Sequence, residues 1–325
     1  MSASGLGAAK YFETYAAGQA SGGSEVVIYD GPKQREIARF KAFGASRDGV
    51  SIALGDVTGD GEPEVMVGSR ASGPAVVRIF NIHGRLIREY VNILDGIYPT
   101  GINVAAGDVN GDNFDDLVIG AGRGQEPLVT ALSGRDIVSR LKPQWLLQFR
   151  AGADKNAGVQ LAVGYVHPLT VPSYLPNVVT TAEAGSTAGV VQVWNVNSFL
   201  KDSVMAHAAH SASSPKSTPP GPLMDTYQPF PGSNKPLFLE TGYVGNPGVP
   251  QIFSWDSPSN VAQRSYSYNP PPQYLTGSDC TLIYPTTGKA TSPCSPNNSN
   301  GVIPDVIYGV QAYGTAKALD AALNF

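Results

Sequence analysis

The sequence predicts an all-β protein: a β-propeller of about six four-stranded blades, with five to seven compatible. Three observations lead there. Only 15% of the 325 residues are charged, 42% are hydrophobic, and Gly (37) and Pro (26) are abundant. Against the ~25% charge of an ordinary domain, that balance suits a turn-rich sheet protein better than helical bundles or coiled coils. Second, a unit of strand, acidic turn, strand, Gly-rich turn and two more strands recurs, with Asp56 and Asp108 heading equivalent turns 52 residues apart. Four strands in ~40–50 residues is the period of a propeller blade. Third, the runs "IALG", "VAAG" and "LAVG" are small and apolar, as strands lining a crowded central axis must be.

Taken in order, "YFETYAAGQASGGSEVVIYDG" (11–31) matches the second and third strands of a blade, and "REIARFKAF" (35–43) its fourth. "VSIALGDVTGDGEPEVMVGSRASGPAVVRIFNIHG" opens the next blade at Val50, and "RLIREYVNI" closes it. "INVAAGDVNGDNFDDLVIGAGRGQEPLVTALSG" opens another at Ile102, closed by "QWLLQFRAG". "GVQLAVGY" (158–165) is again a first strand, but Tyr165 stands where the other two have Asp; "PNVVTTAEAGSTAGVVQVWNVNS", from Pro176, adds the second and third strands. "PLFLETGY" (236–243) repeats the first strand with Tyr243 in the same place, and "PDVIYGVQAYG", from Pro304, resembles a second strand. One propeller domain therefore spans 1–325, with blades near 1–47, 48–99, 100–154, 155–234, 235–276 and 277–325. The stretch 201–235 reads as an insertion, because "HSASSPKSTPPGP" (210–222) has no strand pattern; "SYNPPPQY" (267–274) reads as a rigid turn. A lone blade buries neither face, so the ring must close. The partial blades at both ends predict that the N- and C-terminal segments meet.

The acidic turns carry the chemistry. In "DVNGDNFDD", Asp108, Asn110, Asp112 and Asp116 occupy positions 1, 3, 5 and 9, and Phe114 at position 7 offers a backbone carbonyl. In "DVTGDGEPE" the set is Asp56, Thr58, Asp60 and Glu64, with Glu62 at position 7. Hard oxygens converging from one tight loop suit Ca2+, which takes 6–8 of them; Mg2+ holds its waters and demands stricter geometry. Gly61 and Asn113 at position 6 are residue types that tolerate a left-handed turn. An Asx-type turn that merely favours Asp, Asn and Gly is the alternative. Two calcium sites, each an independent loop, are expected.

These two segments resemble FG-GAP/VCBS repeats, the blades of integrin-α-type β-propellers, and are most similar to the bacterial extracellular type. The resemblance covers about residues 11–200. It implies a secreted or cell-surface propeller stiffened by calcium loops, and the Tyr165 and Tyr243 departures imply blades without calcium. It implies no single activity: such propellers adhere, bind glycans or proteins, decorate enzymes or build assemblies.

The rest of the sequence narrows the partners. A net charge of −4 lacks the basic footprint of nucleic-acid binding, and no apolar run reaches the ~18 residues of a membrane span. The N-terminus lacks the basic and apolar regions of a signal peptide, so the chain reads as cytosolic or as a mature or recombinant form of a secreted protein. Cys280 and Cys294 flank one Pro/Ser/Thr-rich loop, and a disulfide there favours the extracellular reading; two unpaired thiols are the alternative. Asn297-Asn298-Ser299 is a glycosylation sequon. His207 and His210 read as a solvated loop and His83 as an exposed turn, no zinc spacing or G-x-S-x-G elbow occurs, and "GAGRG" (120–124) reads as a blade turn. Trp145, Trp194 and Trp255 read as packing between blades, with sugar-stacking platforms the alternative. Two function classes stand. One is a non-catalytic binding, adhesion or scaffold module that meets a protein, a glycan or neighbouring subunits at the cell surface, through 201–235 and the cysteine loop. The other is a polysaccharide-active lyase or hydrolase with its site at the axial mouth.

Overall fold

The computed structural model describes residues 14–30, 35–94, 96–139, 143–164, 166, 175–196, 223–244, 249–257, 260–265, 282–283, 290–291 and 310–312. Tyr165, His167, His207, His210, the stretch 201–222, the Pro-rich 267–274, Cys280, Cys294 and the Asn297 sequon lie outside these residues.

The chain lays down antiparallel sheets one after another. The first holds β1 (Thr14–Gln19), β2 (Glu25–Asp30) and β3 (Arg35–Lys41). The second is β4 (Val50–Gly55) and β5 (Glu64–Ser69), then, after the short β6 (Gly73–Pro74), β7 (Val76–Phe80) and β8 (Leu86–Val91). β6 pairs apart from it with β9 (Ile97–Tyr98). The third sheet is β10 (Ile102–Gly107), β11 (Asp116–Ala121), β12 (Leu128–Leu132) and, after helix α1 (Gly134–Ser139), β13 (Trp145–Arg150). The fourth is β14 (Val159–Gly164), β15 (Asn177–Ala182), β16 (Val191–Asn195) and β17 (Leu223–Tyr227). β18 (Phe238–Val244), β19 (Val249–Ser257) and β20 (Asn260–Ser265) form a fifth, three-stranded sheet. β21 (Leu282–Ile283) pairs with β22 (Ala290–Thr291), and β23 (Val310–Ala312) returns to lie beside β1, Ala17 opposite Val310.

The apolar side chains form layers between sheets. Strand alternation sends neighbouring residues to opposite faces. Ile52 and Leu54 of β4 pack towards the first sheet with Ile28 and Phe80, whereas Ala53 between them packs towards the third with Ile102 and Ile119. In the third sheet Ile102 and Val104 look back while Ala105 and Val118 look forward onto Leu161 and Trp194. Val179 and Val193 in turn meet Leu237, Leu239 and Ile252 of the next sector. The second, third and fourth sheets are thus sandwiched, and this is the physical meaning of a blade. Trp194, 2% exposed, stacks 5.1 Å from Phe149 and donates through Nε1 to Thr180 Oγ1, so it packs between blades; Trp145 is partly buried against the layer between the second and third sheets. The Trp255 side chain lies outside the described residues.

Close approach of successive blades is set by a glycine. Gly101 precedes β10 with φ +69°, and a Cβ there would run into the Ser69 carbonyl and the Arg70 backbone of the preceding blade; Gly49 and Gly158 stand in the same place before β4 and β14. Gly101→Ala is therefore expected to lose more than the ~1 kcal/mol of an ordinary left-handed glycine, read as a lowered urea midpoint with an unchanged slope.

Three details differ from the sequence expectation. β17 lies inside 201–235, so part of the presumed insertion is the fourth strand of a blade. Within the segment from Pro304, β23 (Val310–Ala312) is a parallel neighbour of β1, not a second strand of a late blade. Helix α1 interrupts the third blade. Ser133 Oγ accepts from the Asp136 amide as an N-cap, and buried Ile137 anchors the helix in the layer between the second and third sheets.

Candidate metal centre

The two acidic turns occupy the same place in successive blades. Gly55 faces Glu64, Gly107 faces Asp116 and Gly164 faces Asn177 across the first hairpin of each. Position 1 organises each loop. Asp56 Oδ1 accepts from the amides of Gly59 (2.6 Å) and Asp60 (3.2 Å), and its Oδ2 from Gly61 (2.9 Å). Asp108 repeats this with Gly111 (2.6 Å), Asp112 (3.0 Å) and Asn113 (2.8 Å). Positive φ at Gly61 (86°) and Asn113 (67°) turns these amides inwards, as the residue types at position 6 predict.

The later positions close over the turn. Glu64 accepts from the Thr58 amide (3.2 Å) and Thr58 Oγ1 (3.4 Å). Asp116 accepts from the amides of Val109 and Gly134, both at 3.0 Å, the second from the start of α1. Asn110 Oδ1 accepts from the Asp112 amide, and Asp112 Oδ1 from the Phe114 amide. Asp60 Oδ1 accepts from the amide of Glu62, whose side chain points to solvent. The structure therefore brings Asp56, Thr58, Asp60 and Glu64 together in one turn and Asp108, Asn110, Asp112 and Asp116 in the other. Position 7, Glu62 or Phe114, belongs to the same loop.

The charges are not balanced. Burial, then the nearby carboxylates of Asp60 and Asp56, pushes Glu64 up to about 8. Burial, then Asp112 and Asp108, pushes Asp116 up to about 8 despite its two amide donors. Among the described residues no ion pair reaches any of these carboxylates. Buried carboxylates without a cationic partner are expensive to ionise, and an all-oxygen donor set with a neutral hydroxyl or amide at position 3 fits a hard divalent cation. Among the described residues, however, no three His, Cys, Asp or Glu side chains already stand close enough to enclose an ion. In both turns the position-1 oxygens are turned onto backbone amides.

In the fourth blade Asn177 stands in the place of Asp116 and accepts from the Val166 amide (3.3 Å).

Sequence reasoning missed Asp115. It stands one residue before position 9, where the other two loops have Pro63 and Pro176. Its Oδ2 accepts from the Asp56 amide (2.8 Å), and its own amide donates to the Asp56 carbonyl (2.9 Å). Burial is the chief cause that raises it to about 6. The Asp115–Asp116 doublet, in place of Pro-acid, was the available signal.

A second polar site lies at the opposite end of the blades. Glu183, after β15, accepts four donors: Arg70 Nη2 (2.8 Å), Asn103 Nδ2 (3.1 Å) and Gln160 Nε2 (2.9 Å) on Oε1, and the Arg123 amide (2.6 Å) on Oε2. Arg70 also donates to Asn103. Beside this cluster, a cleft of about 660 Å3 between the third and fourth blades is lined by Arg123, Lys155, Asn156 and Asp154, whose carboxylate is held by Ser186. Neither motif nor spacing marks these residues, because they come from three blades.

Parts of the chain are similar to known proteins. The FG-GAP repeat family matches residues 100–129. Integrin alpha-PS2 of Drosophila melanogaster is 39% identical over 83 residues, 22% of this chain and 5% of that protein, so the chain spans a small part of its length. Among solved structures, the Dos1 propeller has a TM-score of 0.36 at 14% identity, covering 76% of this chain and 54% of that one. Rhamnogalacturonan lyase PL11 of Bacillus licheniformis has 0.33 at 13% identity (74% and 56%), and rhamnogalacturonan lyase YesW 0.32 at 11% (75% and 57%). Likenesses this distant say nothing about activity. Among the described residues no helix is long and apolar enough to cross a membrane. The chain thus carries an FG-GAP repeat at 100–129 and resembles part of an integrin α chain, and its successive antiparallel sheets are arranged as the blades of a β-propeller.

Proposed function

We propose that this chain is a calcium-stabilised extracellular or cell-surface propeller that serves as a binding, adhesion or scaffold module. One observation carries the reading: two adjacent blades each fold an oxygen-rich turn around a buried carboxylate that no basic side chain among the described residues neutralises. Two Ca2+ ions stiffen the acidic end of these blades, held by Asp56, Thr58, Asp60, Glu64 and the Glu62 carbonyl, and by Asp108, Asn110, Asp112, Asp116 and the Phe114 carbonyl. The resemblance to an integrin α chain supports a protein or glycan partner, and the opposite end, with its open cleft, is left free to meet one. Elemental analysis after dialysis against micromolar calcium is expected to find two ions per chain, and one in Asp112→Ala. Calcium near background in the intact chain would overturn the reading. Release of unsaturated or reducing sugar from an acidic polysaccharide would move the protein to the enzyme class.

A further inference from the structure

The acidic turns were expected to act as independent loops, yet the structure straps them together. Asp115 lies in the second loop, between Phe114 and Asp116. It grips both polar groups of the backbone of Asp56, the head of the first loop: the Asp56 amide donates to the Asp115 carboxylate at 2.8 Å, and the Asp56 carbonyl accepts from the Asp115 amide at 2.9 Å. Two packing contacts reinforce the strap. A Cβ on Gly55 would meet Asp115 at 2.9 Å and Ala106 at 2.7 Å, so glycine is what lets the loops close on each other. The Phe114 ring lies against Gly59, where a Cβ would meet it at 2.6 Å, and Arg135 covers the ring at 5.9 Å.

We infer that Asp115 couples the two metal sites, so that ordering of either loop raises the affinity of the other. The inference rests on the calcium reading above. Its physical basis is shared backbone: Phe114 and Asp116 serve the second site, and fixing them fixes Asp115. A fixed Asp115 in turn fixes the backbone of Asp56, whose carboxylate heads the first. Linkage requires the reverse effect to be equal. Among the described residues no equivalent strap leads onward to the fourth blade. Pro176 takes Asp115's place there, and the contacts of Gly107 and Gly111 in that direction are with the apolar Val163 and Leu175. Asp115 is a positioning residue rather than a ligand.

Isothermal titration of CaCl2 into the metal-free full chain tests this. Asp60→Ala leaves only the second site and Asp112→Ala only the first. The product of the two dissociation constants in the intact chain is expected to lie at least about fivefold below the product of these two single constants. In an Asp115→Ala background the products should agree, whereas Asp115→Asn, which keeps an acceptor for the Asp56 amide, should retain the gap. Agreement of the products already in the intact chain overturns the coupling while leaving calcium binding intact. Loss of the gap in Asp115→Asn overturns the hydrogen-bonded strap in favour of a charge effect. An intact chain that takes up no calcium removes the metal reading and the coupling with it.

Discussion

If the two acidic loops hold calcium as proposed, its removal is expected to lower the melting temperature of this chain by on the order of 10 °C. An ion bound only by the folded state stabilises it by mass action, ~2.7 kcal/mol per site at one hundred times Kd, and a domain of this size shifts by roughly 2 °C per kcal/mol. Two sites therefore add about 5 kcal/mol. The effect should depend on pH. Without metal, Glu64 and Asp116 reach about 8 in the folded state, from ordinary values of 4.5 and 3.8. A carboxyl raised in this way stabilises most below its unfolded value and loses that contribution as pH rises through the folded one. The metal-free chain should thus weaken from about pH 4 to about pH 8. Calcium requires the carboxylates ionised and gains affinity over the same range. Differential scanning calorimetry of metal-free and calcium-loaded protein should show a gap that widens from about pH 5 to about pH 8. A gap that is absent or narrows over that range contradicts occupied sites.

Glu183→Ala is expected to cost about 3–5 kcal/mol, a shift on the order of 10 °C in the calcium-loaded protein. Its carboxylate gathers donors from three successive blades, and its side chain is 6% exposed. Alanine leaves the Arg70 guanidinium without its counter-charge, and Asn103 and Gln160 without an acceptor, in a place that water reaches poorly. Glu183→Gln keeps the shape and one oxygen but presents an NH2 group to other donors, so it should fall between. Chemical denaturation is the measurement. A loss below about 1 kcal/mol in the alanine variant would mean that apolar layers alone hold these blades in register.

Much of the fold was legible in the chain because a blade is a local object. Alternation along "VSIALG" and "INVAAG", the glycine ending each strand and the acid after it follow from period-two burial and from what a tight turn tolerates. Those rules act over about ten residues, so one sequence suffices to read them. Within each acidic loop positions 1, 3, 5 and 9 lie in one turn, because the loop folds upon itself. Helix α1 escaped notice because six residues are too few to show a helical period, and β17 because the polar stretch 201–222 separates it from its sheet.

By itself the sequence determined the strands, the turns and the oxygen-rich loops, since each depends on neighbours in the chain. Tertiary structure alone decided that Asp115 grips Asp56, that Glu183 gathers Arg70, Asn103 and Gln160, and that Val310–Ala312 returns to β1. Apart from Gln160, which shares a blade with Glu183, these contacts join residues 59, 80, 113 and nearly 300 positions apart, and only the packing of blade on blade or the return of β23 brings them within reach.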